Sequence, residues 1–100
     1  RNQPMSTLHT ISKSPKSQLL SECLPLVNKG DGILFIEDGV YYCANSKVSD
    51  DFESDVTWYG LKEDLDARGL KLDDIKTIKI INYQIFVEMC EEFDKVISWF

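Results

Sequence analysis

The sequence has 100 residues, of which 43% are apolar, and its 17 acidic side chains outnumber the 11 basic ones to give a net charge of −6. This length and apolar content are typical of one globular domain with its own core. The acidic balance argues against direct binding of nucleic acid, because phosphate contacts need clustered lysine and arginine. No apolar stretch approaches the roughly 20 residues that a membrane-spanning helix needs. We therefore expect one domain that contacts neither nucleic acid nor membrane.

The first four residues, Arg1 to Pro4, precede Met5 and are expected to be the remnant of an expression tag. The predicted domain therefore spans residues 5–100. Polar residues interrupt every apolar stretch after Met5, which is unlike a secretory signal peptide. We expect a cytoplasmic location.

Cofactor motifs are missing from the sequence. The three cysteines, Cys23, Cys43 and Cys90, form no CxxC pair, and the single histidine, His9, cannot complete a zinc site. The glycines form neither a dinucleotide fingerprint nor a P-loop. The sequence predicts no metal and no nucleotide cofactor, and it predicts reduced thiols.

The first half of the chain begins with a predicted strand over Leu8–Ser12. A helix is expected next, with Ser14 as its N-cap and Pro15 in its first turn. Pro25 should kink or shorten this helix, and Gly30 is suited to end it in a left-handed conformation. The apolar stripe of the helix contains Leu19, Leu20, Cys23, Leu24 and Val27.

The middle of the chain starts with the apolar stretch Ile33–Ile36, which predicts a strand covered on both faces. A turn at Asp38-Gly39 leads to Val40–Ala44, expected as a second helix or a short extended piece. The acidic residues 46–55 are expected as a surface loop or a short helix.

The second half alternates strands and helices again. Strands are predicted over Val56–Gly60 and Thr77–Ile81, and a helix over Lys62–Arg68. Gly69 should end that helix in a Schellman motif, with Leu70 folded back on Leu65. The last helix is expected to be capped by Asn82, with an apolar stripe of Phe86, Met89, Cys90 and Phe93. Residues 96–100 should form a final short strand or pack as a tail.

This alternation predicts an α/β fold in which a mostly parallel sheet carries helices on both faces, a small single-domain three-layer sandwich. Parallel α/β sheets place ligands at the carboxyl ends of their strands. Residues 12–14, 37–39, 61–64 and 82–83 are therefore expected to gather along one edge.

Two of the cysteines are candidate nucleophiles. Cys23 lies on the apolar stripe of the first helix, and such a thiol is usually a small buried hydrophobe. Cys43 follows Gly39 by four residues, where a helix N-terminus could lower its pKa, although Glu37 and Asp38 would raise it. Cys90 is expected to be buried.

Aromatic residues are the candidates for a protein interface. Trp58, Trp99 and Phe100 add large apolar area to a small domain, and aromatic side chains are enriched at interfaces. His9, inside the first strand, is more typical of a structural or interface residue than of a catalytic one.

Five motifs recur in an order that resembles the DsrH/TusB family of sulfur-relay proteins, over essentially all of residues 5–100. They are LHTISKSP (Leu8–Pro15), LFIEDGV (Leu34–Val40), LKEDLDARGL (Leu61–Leu70), INYQIFVEM (Ile81–Met89) and the terminal SWF (Ser98–Phe100). The resemblance implies a DsrE-like fold and assembly with TusC-like and TusD-like subunits into a heterohexamer. It also implies a relay in which persulfide sulfur arrives from a TusA-like carrier and leaves to a TusE-like protein for 2-thiolation of the tRNA wobble uridine.

The resemblance leaves two roles open for the thiols. In the tRNA branch the transferring cysteine belongs to the TusD-like subunit, so this chain would be a non-catalytic member of the complex. In sulfur oxidisers, DsrH chains carry a cysteine in the first helix, and Cys23 falls at or within one residue of that position. The alternative is therefore a sulfur carrier that uses Cys23. A phosphate-accepting receiver domain built on Glu37 and Asp38 is a third reading, weakened by the lack of a lysine partner.

Overall fold

The computed structural model describes residues 6–44, 56–70 and 78–99. Its strands are β1 (Thr7–Ile11), β2 (Gly32–Phe35), β3 (Thr57–Leu61), β4 (Ile78–Ile81) and β5 (Lys95–Trp99), and its α-helices are α1 (Leu19–Cys23), α2 (Lys62–Ala67) and α3 (Tyr83–Glu92). Three 3₁₀ segments cover Pro15–Ser17, Leu24–Leu26 and Glu37–Ala44. None of the helices in these ranges has the length and hydropathy that a membrane-spanning helix needs.

The five strands form one sheet in the order β4-β3-β2-β1-β5, and every neighbouring pair is parallel. The chain moves stepwise from β1 to β4 and then returns across the sheet to place β5 beside β1. Connections of a single hand require the return to run over the opposite face from the first three. The predicted parallel α/β sheet is confirmed.

Alternate strand residues feed two separate cores, as the pleat requires. In β2, Ile33 and Phe35 join the core under α1, α2 and the segment Glu37–Ala44, whereas Leu34 joins the core under α3. Helical layers on both faces make the three-layer sandwich that the sequence predicts. The α3-side core consists of Leu8, Leu34, Leu61, Ile81 and Met89, with Ile36, Tyr59, Phe86 and Phe93 packed against it.

The first helix is shorter than predicted. The side chain of Ser14 forms no capping hydrogen bond, and Pro15 begins a 3₁₀ turn instead of an α-helix. Gln18 then adopts a left-handed conformation with φ 61°, so that α1 begins only at Leu19. Pro25 shortens the other end as expected, since it lies in a further 3₁₀ turn.

The local signals in the second half of the chain are confirmed. The side chain of Asn82 caps α3 by accepting a 2.9 Å hydrogen bond from the Ile85 N–H. Gly69 is left-handed at φ 65°, and the Leu70 N–H donates to the Leu65 carbonyl at 3.1 Å, as in a Schellman motif. The last segment forms a strand, β5. The acidic residues 46–55 and Phe100 lie outside the described residues.

Candidate functional site

The carboxyl ends of the strands meet at one edge of the sheet, and the loops that follow them are bonded to one another. The Ile36 N–H donates to the Ile11 carbonyl at 3.0 Å, which joins the ends of β1 and β2. Carboxylates take up the backbone donors of neighbouring loops: Asp64 Oδ2 accepts from the Glu37 N–H at 2.6 Å. Glu63 Oε2 accepts from the Tyr83 N–H at 3.1 Å, so its carboxylate helps to hold the start of α3. The expected gathering of loops at this edge is present.

Gly39 allows the segment Glu37–Ala44 to cross closely over the end of β1. A methyl group at this position would collide with the Ile11 carbonyl oxygen and lie 2.9 Å from the Ile11 carbonyl carbon. Only glycine fits against a backbone that near. Nearby, Asp38 Oδ1 accepts hydrogen bonds from Arg68 Nε and Nη2 at 3.1 and 3.0 Å.

Along this edge, the described residues line two shallow cavities. One, of about 300 Å³, is lined by Thr10, Ser12, Ile36, Glu37 and Ser98. The other, of about 400 Å³, is lined by Ser14, Pro15, Lys16 and Tyr41. Their linings offer hydroxyls, one carboxylate and one amine, and neither lining includes a cysteine or histidine. Persulfide chemistry at either cavity would therefore need a thiol from another protein.

Cys23 lies at the end of α1 and is fully buried, with 0% of its side chain exposed. Burial raises the pKa of Cys23 to about 12, and the negative charge of Asp31 adds to the effect. A thiol with that pKa is ionised in only about one molecule in 100,000 at neutral pH. Cys23 in this conformation is therefore a core residue with a negligible thiolate fraction.

Cys43 is also fully buried, at the end of the 3₁₀ segment that crosses the sheet. Its sulfur packs against the backbone of β3 so closely that a methyl group on Gly60 would lie 2.8 Å from Sγ. Burial raises the pKa of Cys43 to about 12. The expectation that Cys90 is buried is wrong, because this thiol on α3 is only half-buried.

A buried hydrogen-bond network joins three elements on the α1 side of the sheet. His9 in β1 contacts Asp31 through Nε2 at 3.1 Å, and the Trp99 indole N–H in β5 donates to His9 Nδ1 at 3.1 Å. Asp31 also accepts from the backbone N–H groups of Thr7 and Asn28, both at 2.9 Å. Both His9 and Asp31 are at least 97% buried.

This network defines the tautomer of His9. An indole N–H can only donate, so Nδ1 must be an acceptor without a proton. Nε2 then carries the proton and donates to the Asp31 carboxylate. Because both ring nitrogens are engaged, His9 has no lone pair left to accept a proton from Cys23. The nearby cysteine, histidine and aspartate therefore do not form a nucleophile–base pair of the kind used in covalent catalysis.

The interface candidates have different locations. His9 and Trp58 are buried inside the domain, at 1% and 4% exposure, whereas Trp99 is half-buried at the end of β5. Trp58 stacks on Phe35 with ring centroids 5.9 Å apart. Within the described ranges no cluster of three or more potential metal ligands occurs.

Asp31 is the residue that sequence reasoning missed. It lies between Gly30 and Gly32, in a stretch where the sequence predicts only the end of a helix. The available signal was an acidic residue directly before a fully apolar strand. A buried carboxylate needs several donors, and the only histidine lies in the neighbouring strand.

These features define a small parallel α/β domain in which two thiols are sealed in the core and the third lies half-buried on α3. The family described as "DsrH like protein" matches residues 13–96, and the chain belongs to that family. The chain is 33% identical to "Protein TusB" of Serratia proteamaculans over 94 residues, covering 92% of this chain and 99% of that protein. It is 31% and 32% identical to proteins of the same name from Buchnera aphidicola and Photorhabdus laumondii, with the same coverage. The resemblance to the DsrH/TusB family is confirmed.

Proposed function

We propose that this chain is a cytoplasmic subunit of a TusBCD-like sulfurtransferase complex that serves 2-thiolation of the tRNA wobble uridine. In this role it assembles with TusC-like and TusD-like subunits. Sulfur reaches the complex from a TusA-like carrier and leaves it to a TusE-like protein, without forming a persulfide on this chain. Its contribution is to complete the assembly and to shape the surface around the partner's thiol.

The state of Cys23 and Cys43 is the observation that carries this proposal. A persulfide acceptor needs a thiolate that the donor can reach. Both thiols have no exposed surface, and burial raises the pKa of each to about 12. The one histidine, His9, is held by Asp31 and Trp99 and cannot act as a base for either of them.

Kinship and charge support the same role. Relatives at 31–33% identity over nearly the whole chain carry the name TusB. The net charge of −6 disfavours direct contact with tRNA phosphates, so that another subunit would bind the nucleic acid.

The alternative is a sulfur carrier of the DsrH type that uses Cys23. The family description and the position of Cys23 at the end of α1 favour this reading. It requires α1 to move away and expose the sulfur, because the thiol is sealed against the sheet. It would also require the pKa of Cys23 to fall by several units when the helix opens. The observed burial therefore favours the non-catalytic subunit.

The proposal is tested by a cysteine-free variant in a bacterial strain that lacks its own TusB. The variant replaces Cys23, Cys43 and Cys90 with alanine, and 2-thiouridine in total tRNA is measured by nucleoside mass spectrometry. We expect the wild-type chain and the variant to restore thiolation equally, because none of the three thiols handles sulfur. Circular dichroism of the purified variant checks that it folds.

Single substitutions serve as controls. The chain carries sulfur on Cys23 if the cysteine-free variant and the folded single variant Cys23→Ala both fail to restore thiolation, whereas Cys43→Ala and Cys90→Ala restore it. If even the wild-type chain fails to restore thiolation, the tRNA branch is wrong for this protein.

A further inference from the structure

Strand β5 lies at one edge of the sheet and is exposed on both of its faces. Val96 is in register with Leu8 on the α3 side, and Ile97 is in register with His9 on the other side. Each of these two apolar side chains is 40% exposed. The helices of the domain therefore leave β5 partly open to solvent on both faces, whereas the central strand β2 is buried at every position.

The outer backbone groups of β5 can be identified from its inner ones. The Lys95 N–H donates to the Ser6 carbonyl at 3.2 Å, so Lys95 points its backbone groups toward β1. Trp99 does the same, since its carbonyl accepts from Ser12 Oγ at 3.2 Å. Backbone groups alternate in direction along a strand. Val96 and Ser98 therefore point their N–H and C=O groups away from β1, where the described part of the sheet has no further strand.

This edge lacks the features by which proteins usually block strand pairing. The sequence of β5, KVISW, contains no proline, and its one charged residue is at its start. The opposite edge differs, because β4 carries the exposed Lys79 in its interior. An exposed apolar edge strand without such protection is expected to pair with another strand.

Hydrogen bonds also hold both ends of β5 in position before any partner arrives. The Trp99 side chain is bonded to His9, and the Trp99 carbonyl to Ser12. At the other end, the Asp94 N–H donates to the Ser6 carbonyl at 3.0 Å and Asp94 Oδ2 accepts from the Ser6 N–H at 2.9 Å. A preorganised strand loses little conformational entropy when it pairs.

Charge identifies the kind of partner. Four exposed carboxylates lie on α3 and the turn before β5, and within the described residues none of them forms an ion pair: Glu88, Glu91, Glu92 and Asp94. A second copy would bring another net charge of −6 to the same interface. Like charges at an interface are unfavourable, and opposite charges increase the rate of association. The edge therefore suits a different protein with basic residues beside its own edge strand.

We propose that β5 is the docking edge for another subunit of the complex, whose edge strand extends this sheet while its basic residues face the acidic group Glu88, Glu91, Glu92 and Asp94. This inference rests on the proposed function, since it takes the partner to be the TusC-like or TusD-like chain. The incoming strand accepts from and donates to the outer backbone groups of Val96 and Ser98. Its own helices cover Val96 and Ile97.

The test uses the full chain, mixed with the TusC-like and TusD-like chains of the same organism. Val96→Pro removes one outward N–H and places a ring in the path of the incoming strand, while the inward bonds of Lys95 and Ile97 remain. Val96→Thr is the matched control, because it changes the side chain but keeps the N–H. We expect Val96→Pro to weaken assembly at least about tenfold, because one hydrogen bond between the strands is lost and the carbonyl group of the incoming strand is left without a donor. Val96→Thr should assemble like the wild type in native mass spectrometry.

A second variant tests the charge. Glu91→Gln with Glu92→Gln should slow association at low salt and make its rate less dependent on salt. Melting curves of each isolated variant show that it folds, and Ser98→Pro should reproduce the effect of Val96→Pro if the latter is poorly folded.

The outcomes separate this inference from the proposed function. If the wild-type chain assembles and folded Val96→Pro assembles equally well, β5 is not the docking edge, although the proposed function stands. If the isolated wild-type chain forms dimers that Val96→Pro abolishes, the edge binds a second copy and the assigned partner is wrong. If the wild-type chain does not assemble with either partner, the proposed function fails as well.

Discussion

Replacement of Asp31 by asparagine should destabilise the domain strongly, although it exchanges only one carboxylate oxygen for an NH₂ group. The carboxylate accepts three N–H donors, from the backbones of Thr7 and Asn28 and from the ring of His9, and its side chain is 2% exposed. An amide oxygen can serve the two donors at the Oδ2 position, but the NH₂ group then faces the Thr7 N–H. One bond to a charged acceptor is lost and two buried donors oppose each other. A hydrogen bond to a charged group contributes about 1.5–3 kcal/mol to stability. With the opposed donors added, we expect the free energy of unfolding to fall by about 2–4 kcal/mol.

This prediction can be measured by urea unfolding at neutral pH, followed by tryptophan fluorescence and circular dichroism. For a domain of this size the loss corresponds to a fall in Tm of roughly 10–25 °C. Asp38→Asn is the matched control, because the Asp38 side chain is 60% exposed and its contact with Arg68 should contribute less than about 1 kcal/mol. If Asp31→Asn costs no more than this control, the buried network does not hold β1, β2 and β5 together.

Four further predictions concern other positions. Gly39→Ala should cost at least about 3 kcal/mol in urea unfolding or prevent folding, because the new methyl group collides with the Ile11 backbone; a cost below about 1 kcal/mol would refute that contact. Asn82→Ala should cost about 1 kcal/mol by removing the α3 N-cap, and an unchanged melting curve would show that the cap does not contribute. Cys23 and Cys43 should resist alkylation in the folded protein and react fully in urea, as measured by intact mass spectrometry. If either thiol reacts as fast as Cys90 in the folded protein, it is not buried. Because folding raises the pKa of both thiols, the free energy of unfolding should fall as the pH rises from about 9 to about 12. Alanine at both positions should make this fall shallower in urea unfolding measured across that pH range; an equally steep fall would refute the raised pKa values.

The sequence specifies the features that depend on neighbouring residues. Asn82 caps α3 and Gly69 ends α2, because each of these signals acts within one turn of the chain. The alternation of strands and helices was enough to predict the parallel sheet. The first helix is shorter than its apolar stripe predicts, because its start depends on the left-handed conformation of Gln18, and glutamine gives no signal of such a conformation in the sequence.

The rest of the candidate site depends on distant contacts. His9 and Asp31 are 22 residues apart, and His9 and Trp99 are 90 apart, so no local pattern relates them. This network contains two predicted interface residues, His9 and Trp99, whose exposures differ. His9 is buried, and Trp99 is half-buried on the edge strand. The exposure of β5 on both faces likewise follows from the strand order, which the sequence does not reveal.

Direct measurement of where sulfur is carried tests the central claim that this chain belongs to a persulfide relay but holds no persulfide itself. The complete complex is loaded with labelled sulfur from a cysteine desulfurase and a TusA-like carrier. The mass of each intact subunit is then measured by mass spectrometry. In a transfer, the acceptor thiolate attacks the outer sulfur of the carrier persulfide and the carrier leaves as a thiolate. Because Cys23 and Cys43 are buried with pKa values of about 12, we expect the additional sulfur on the TusD-like subunit and none on this chain. A sulfur adduct on this chain that disappears in Cys23→Ala would contradict the account and identify a carrier.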